Sequence, residues 1–135
     1  MVLRLTERDL SRQIVNAANE CGWLVYHTFL SKWSKPGFPD LVMTREDRLI
    51  FAELKGAKGK VAPAQVEWLD TLALVPGIEV YLWREEHLQE IYENLVQYKP
   101  NCGGAWEGHD ALFTRVRLEE YNPNRGMCDM PSEGL

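Results

Sequence analysis

The sequence predicts an α/β fold in which a mixed β-sheet is flanked by helices, in the element order α-β-β-β-α-β-α. Segments with apolar residues at helical spacing alternate with short runs rich in β-branched and aromatic residues. Two of these runs are joined by a short charged turn, which is typical of a β-hairpin. The length of 135 residues and the apolar fraction of 45% suit one folded domain.

The first half of the chain is predicted to form a helix, a strand and a hairpin. Thr6, with Asp9 three residues later, marks the start of the helix, and Cys21-Gly22 marks its end. Its apolar residues at helical spacing are Leu10, Ile14, Val15 and Ala18. The strand patterns that follow are Trp23–Phe29, Asp40–Thr44 and Leu49–Lys55, with a basic loop at Leu30–Phe38 and a charged turn at Arg45–Arg48.

The second half supplies a helix, a strand and a last helix. Gly56–Lys60 is a flexible basic loop, and Pro63 then suits the first turn of a helix that ends before Pro76-Gly77. Ile78–Trp83 has the composition of a strand. The last helix is predicted from apolar residues spaced i, i+3, i+4 and i+7, namely Leu88, Ile91, Tyr92 and Leu95.

The chain changes character near its C-terminus, so we place one domain at residues 1–99. Residues 100–135 contain Pro, Gly and Asn throughout and are expected to form a partly irregular or disordered extension. One edge strand is predicted there at Ala111–Leu118, and the end from about Asn122 is expected to be disordered.

Composition excludes several classes of protein. The chain has 15 Lys and Arg against 20 Asp and Glu, so its net charge is −5, which excludes histone-like binding through bulk charge. No apolar run approaches the ~20 residues of a membrane-spanning helix, and no signal-peptide core is found, so no membrane partner is expected.

Three widely spaced cysteines do not suggest disulfides, which favours the cytoplasm. Cys102, His109 and Cys128 lack the spacing of a zinc site, and no organic cofactor is expected.

Two carboxylates and a lysine form the strongest candidate site. Asp40 opens the predicted hairpin and Glu53 lies near the end of its second strand, so the hairpin can bring them side by side, while Lys55 shares the face of Glu53. Adjacent carboxylates repel each other unless a cation lies between them, and Mg²⁺, with Mn²⁺ as a substitute, suits hard oxygen ligands. Such a metal beside a lysine is suited to hydrolysing a phosphodiester. The alternative is a salt bridge between Glu53 and Lys55 on a solvated face.

The motif residues resemble a known nuclease superfamily. Gly37-Phe38-Pro39-Asp40, then Glu53-Leu54-Lys55-Gly56, then Gln65 are similar to PD-(D/E)xK nucleases, and more narrowly to their VRR-NUC domain in its standalone bacterial and phage form. The resemblance spans about Thr6 to Leu95 and implies a restriction-endonuclease-like core, similar to that of Holliday-junction resolvases.

The resemblance also implies a role for each motif residue. Asp40, Glu53 and the Leu54 carbonyl would bind the metal, and Glu7 on the first helix would complete the site directly or through water. Lys55 would be the catalytic lysine. Gln65 matches a glutamine that such nucleases keep near the active site, and it is counted with the catalytic residues.

Residues that flank the motif form a candidate nucleic-acid interface. Residues 32–60 carry seven basic and four acidic side chains, or +3, although the whole chain is acidic. The residues predicted to contact phosphates are His27, Lys32, Ser34, Lys35, Lys58 and Lys60. Trp33 lies between two of these lysines, where it could stack on an unpaired base.

Three functional hypotheses follow. The first, which the resemblance favours, is a Mg²⁺-dependent endonuclease that cuts branched DNA, such as Holliday junctions or flaps, during replication, repair or recombination. It would act as a homodimer in the cytoplasm of a bacterial or phage-infected cell. The second is a non-catalytic module for nucleic-acid binding or assembly that retains the nuclease fold. The third is a sequence-specific restriction endonuclease, although the core leaves little length for an element that reads bases.

Overall fold

A computed structural model of the chain describes residues 4–29 and 32–96. Its helices and strands, in chain order, are α1 (Glu7–Glu20), β1 (Leu24–His27), β2 (Leu41–Arg45), β3 (Arg48–Leu54), α2 (Pro63–Ala73), β4 (Glu79–Trp83) and α3 (Leu88–Val96), with a 3₁₀ turn at Glu85–His87 before α3. The prediction of an α/β fold with a mixed sheet flanked by helices is confirmed for these residues. The predicted extension at residues 100–135, with its edge strand and its disordered end, lies outside them.

The described strands form a four-stranded sheet in the order β1-β2-β3-β4. β1 pairs with β2, and β2 with β3, in antiparallel fashion, whereas β3 and β4 are parallel. The parallel pair needs a crossover connection, which α2 supplies. In the β2–β3 register Leu41 lies opposite Ala52, so the next step along the hairpin places Asp40 beside Glu53.

The two faces of the sheet are covered by different helices. Ile50, Ala52 and Leu54 point toward α1 and α3 and are at most 1% exposed. On the other face α2 contributes Leu69 and Ala73 to a smaller apolar cluster. Because side chains alternate along a strand, Glu53 points to the α2 side of the sheet.

The predicted helix starts are confirmed. Thr6 caps α1, and its hydroxyl accepts a hydrogen bond from the Asp9 backbone at 3.0 Å. α2 begins at Pro63, and the backbone N–H of Ala62 donates to Oε1 of Gln65 at 2.9 Å.

Among residues 4–29 and 32–96 there is no helix of sufficient length and apolarity to cross a membrane.

The predicted strands differ from the observed ones by one or two residues at most of their ends, and Asp40 and Lys55 lie just outside β2 and β3. The charged turn was expected at Arg45–Arg48, but both arginines belong to strands, and the turn is Glu46-Asp47. Arg48 is only 3% exposed because it pairs with Glu79 at 2.7 Å and lies 4.9 Å above the Trp23 ring. The first strand is also shorter than Trp23–Phe29, since the ladder with β2 covers only Leu24–His27.

Candidate active site

Asp40, Glu53 and Lys55 meet where β3 ends. Oδ2 of Asp40 accepts a hydrogen bond from the Leu54 backbone N–H at 2.9 Å. Nζ of Lys55 lies 3.2 Å from Oε2 of Glu53, and the two side chains are only 10% and 2% exposed. The predicted salt bridge between Glu53 and Lys55 is therefore present, but the pair is buried and does not lie on a solvated face.

Gln65 connects the carboxylate of Glu53 to the first turn of α2. Its amide Nε2 donates to Oε2 of Glu53 at 2.8 Å, while its Oε1 accepts from the Ala62 backbone. Oε2 of Glu53 therefore has two donors, Gln65 and Lys55. The structure thus places the Gln65 amide in contact with Glu53.

The second carboxylate oxygen of Glu53 lies in different surroundings from the first. Oε1 is buried, and no donor bonds it within the described part of the chain. The carboxyls of Glu53 and Asp40 are close enough to share a hydrogen bond when one of them is protonated. Burial, and next the negative charge of Asp40, raise the pKa of Glu53 to about 7, although Lys55 opposes the rise. Burial also raises the pKa of Asp40, with the charge of Glu7 acting in the same direction, against the Leu54 N–H and Lys55. The positive charge of Lys55 therefore offsets only part of the cost of burying these two carboxylates.

Glu7 reaches the same end of the sheet from the first turn of α1. Its Oε2 accepts from the Gly56 backbone N–H at 3.3 Å, just after Lys55. Gly59 lies close enough that a Cβ there would be 3.2 Å from the same oxygen. The start of α1 is therefore held against the loop that follows β3, and the negative charge of Glu7 acts on Asp40.

This donor set fits a hard divalent cation. No group of three or more His, Cys, Asp or Glu converges in residues 4–29 and 32–96. The carboxylates that meet at this strand end are the half-buried Asp40 and the buried Glu53. Mg²⁺ is commonly held by one or two carboxylates, with waters and substrate phosphates as its other ligands. Oε1 of Glu53, which no donor bonds in the part of the chain that the structure describes, is an acceptor that a cation would satisfy.

No family model, curated protein or solved structure matches this chain. The nuclease resemblance therefore depends on the motif residues and on their placement. The restriction-endonuclease-like class likewise stays a prediction, beside the α/β architecture that the structure has.

The loop that leads to Asp40 is fixed against α2. Gly37 has φ +98°, and a Cβ there would lie 2.4 Å from the Ala64 carbonyl oxygen, so the close approach requires glycine. Nε1 of Trp68 donates to the Pro36 carbonyl at 3.0 Å. The Phe38 ring packs edge-on against Trp68, with ring centroids 4.9 Å apart. These contacts position Pro39 and Asp40.

The residues predicted to contact phosphates lie in different surroundings. The exposed ones are Lys32, Ser34, Lys35, Lys58 and Lys60. Lys35 forms an exposed ion pair with Glu67 at 3.4 Å. His27 instead lines a cleft, where its Nε2 lies 3.5 Å from the Ser11 hydroxyl.

This cleft, between α1 and the end of β1, was missed by the sequence analysis. It has a volume of about 690 Å³, and Glu7, Asp40 and Leu54 contribute to its wall. The other lining residues include Arg8, Ser11, Arg12, Val15, Asn16, Thr28 and Phe29. One signal was present, because Arg8, Ser11, Arg12 and Val15 recur at i, i+3, i+4 and i+7 and so share one face of α1.

Proposed function

We propose that the protein is a metal-dependent endodeoxyribonuclease that hydrolyses phosphodiester bonds in DNA. The convergence of Asp40, Glu53 and Lys55 carries this proposal. All three meet at one strand end, and one buried oxygen of Glu53 has no donor among residues 4–29 and 32–96. Buried charges are costly to a fold unless they are paired or used. Lys55 and Gln65 compensate only part of that cost.

Four groups would hold a Mg²⁺ or Mn²⁺ ion: the carboxylates of Asp40 and Glu53, the Leu54 carbonyl, and Glu7 directly or through water. The ion would neutralise charge on the phosphate and make water a better nucleophile. Lys55, oriented by Oε2 of Glu53, would position or deprotonate the attacking water, or stabilise charge on the phosphate. Gln65 holds Glu53 in place through its amide.

Branched DNA is the proposed substrate, and a homodimer the proposed active form. Both come from the resemblance to standalone VRR-NUC domains, where paired cuts in two strands call for two symmetry-related sites. The net positive charge of residues 32–60 supports local binding of DNA there.

Cleavage of labelled four-way junctions, flaps, single strands and plain duplex in Mg²⁺ or Mn²⁺ tests the function. We expect Lys55→Ala and Asp40→Asn to reduce cleavage about 100-fold or more, since each removes a charge from the reacting centre. Asp47→Asn is the matched control, because it makes the same carboxyl-to-amide change at the turn on the other end of the hairpin. It should cut like the wild type.

Two results would overturn the proposal. If no DNA is cut by the wild type, the non-catalytic binding module becomes the better hypothesis. If Lys55→Ala cuts as fast as the wild type, the site is wrongly assigned.

A further inference from the structure

We propose that the cleft between α1 and β1 holds an unpaired nucleotide of a single DNA strand, beside the phosphate that is cut. This inference rests on the proposed nuclease function and specifies which part of the substrate the site recognises. Asp40 and Leu54 belong both to the candidate metal site and to the wall of the cleft. A strand bound at that site can therefore extend directly into the cleft.

The size of the cleft suits one nucleotide or a little more. Its volume of about 690 Å³ lies within the range of sites that enclose small ligands. A base inside a duplex is covered on both faces by its neighbours, and extruding it costs a few kcal/mol. A nucleotide that is already unpaired enters the cleft without that cost.

Phe29 provides a surface on which a base can stack. Its side chain is 81% exposed although it lines the cleft, and its ring centroid lies 4.5 Å from that of His27. The segment is anchored one residue earlier, because the Thr28 backbone N–H donates to the Asp40 carbonyl at 2.8 Å. Stacking of bases on aromatic rings tolerates any sequence and is typical of single-strand binding.

The polar groups of the cleft suit a phosphate and a base edge. Arg8 and Arg12 lie one turn apart on α1. The exposed pair of Arg12 with Asp9, at 3.0 Å, is of the kind that contributes little and can be exchanged for a phosphate. Oγ1 of Thr28 is buried and has no partner among the described residues, so it is free to bond a ligand.

The charge of the cleft depends on the metal. Arg8 and Arg12 balance Glu7 and Asp40, so the charged lining residues sum to zero. A divalent cation at the candidate site would leave a net charge of +2, which attracts a phosphate backbone. We therefore expect single-strand binding to the cleft to require a divalent metal.

Trp33 is the rival platform for stacking. It is 91% exposed, and Nζ of Lys32 lies 5.7 Å from the centre of its ring. Trp33 is not among the residues that line the cleft, whereas Phe29 is. The structure therefore favours Phe29.

Fluorescence anisotropy of two probes tests the proposal, with Ca²⁺ as the metal. The probes are a fluorescein-labelled single strand of about 12 nucleotides, a length within the range that single-strand-binding domains cover, and a blunt duplex of the same sequence. We expect tighter binding of the single strand than of the duplex. Phe29→Ala should weaken single-strand binding about tenfold, as loss of one stacking contact does, while Phe29→Trp should retain it.

Tyr26→Ala is the matched control. Tyr26 is also an exposed aromatic residue near the end of β1, at 65% exposure, but it does not line the cleft. It should bind both probes like the wild type. The proposal is overturned if Phe29→Ala binds the single strand as the wild type does, if Tyr26→Ala or Trp33→Ala shows the larger loss, or if duplex binds as tightly as single strand.

The same variants separate this inference from the nuclease function. If cleavage depends on Lys55 but not on Phe29, and Phe29→Ala binds normally, the function stands and the cleft proposal fails. If the single strand binds through Phe29 but no DNA is cut in Mg²⁺ or Mn²⁺, the cleft still binds an unpaired nucleotide, and the nuclease function fails.

Discussion

The charged form of the Glu53 carboxylate is less favourable in the folded protein than in the unfolded chain. The pKa rises from 4.5 to about 7 in the folded chain, through burial first and the charge of Asp40 second. The folded protein therefore holds this proton more tightly than the unfolded chain does. The stability gained from that proton is complete below the unfolded pKa and is lost as the pH rises through the folded pKa.

We accordingly expect the free energy of unfolding in EDTA to fall between about pH 5 and about pH 8, by on the order of 2 kcal/mol. Glu53→Gln removes the titrating group and should flatten this pH dependence. Glu20→Gln, an exposed glutamate in the last turn of α1, is the control and should keep the wild-type profile. Urea denaturation at a series of pH values measures all three proteins. Parallel profiles for wild type and Glu53→Gln would contradict the expectation.

At the scale of elements, the conformation of the loop before Asp40 depends on its close approach to α2. Gly37 and Gly22 both have a positive φ, +98° and +89°. An added Cβ would lie 2.4 Å from the Ala64 carbonyl oxygen at position 37, but would meet nothing within 4 Å at position 22. The two glycines therefore separate the effect of backbone strain from the effect of a clash.

Gly22→Ala should lower the free energy of unfolding by about 1 kcal/mol, since it introduces strain alone. Gly37→Ala should lower it by about 2–4 kcal/mol, because overpacking against backbone atoms is added to the strain. Chemical denaturation measures both changes. Equal losses would show that the loop yields to the added methyl group. Gly37→Ala should also slow DNA cleavage, since the displaced turn of α2 carries Gln65.

The hairpin could be predicted from the sequence, whereas the cleft could not. Asp40 and Glu53 lie at the open end of a hairpin with a two-residue turn, so the pairing of two neighbouring strands brings them together. The cleft arises where α1 packs over the end of β1, which no local pattern specifies. The burial of Arg48 has the same origin, because its partners Glu79 and Asn94 are 31 and 46 positions away along the chain.

At the scale of the whole molecule, charge is distributed unevenly. Residues 100–135 carry three basic and six acidic side chains, or −3, whereas residues 32–60 carry +3. An acidic protein with a basic segment can hold DNA over only a few phosphates. Its binding should be local and should depend on the metal.

The salt dependence of DNA binding measures how local this contact is. In Ca²⁺, we expect a plot of log Kobs for a four-way junction against log salt concentration to have a slope near −4, as for about four neutralised phosphates. Arg12→Ala should reduce the magnitude of the slope by about one. A slope near −10 would instead indicate an extended interface.

The hydrogen bond between the Ala62 backbone and Gln65 has a consequence for Glu53 in the candidate site. A side-chain amide has one accepting end and one donating end. The N–H of Ala62 occupies the accepting end of Gln65, at the exposed start of α2, so the donating end must face Glu53. A peptide group at the surface thereby sets the polarity of a contact inside the site, where Glu53 meets a donor.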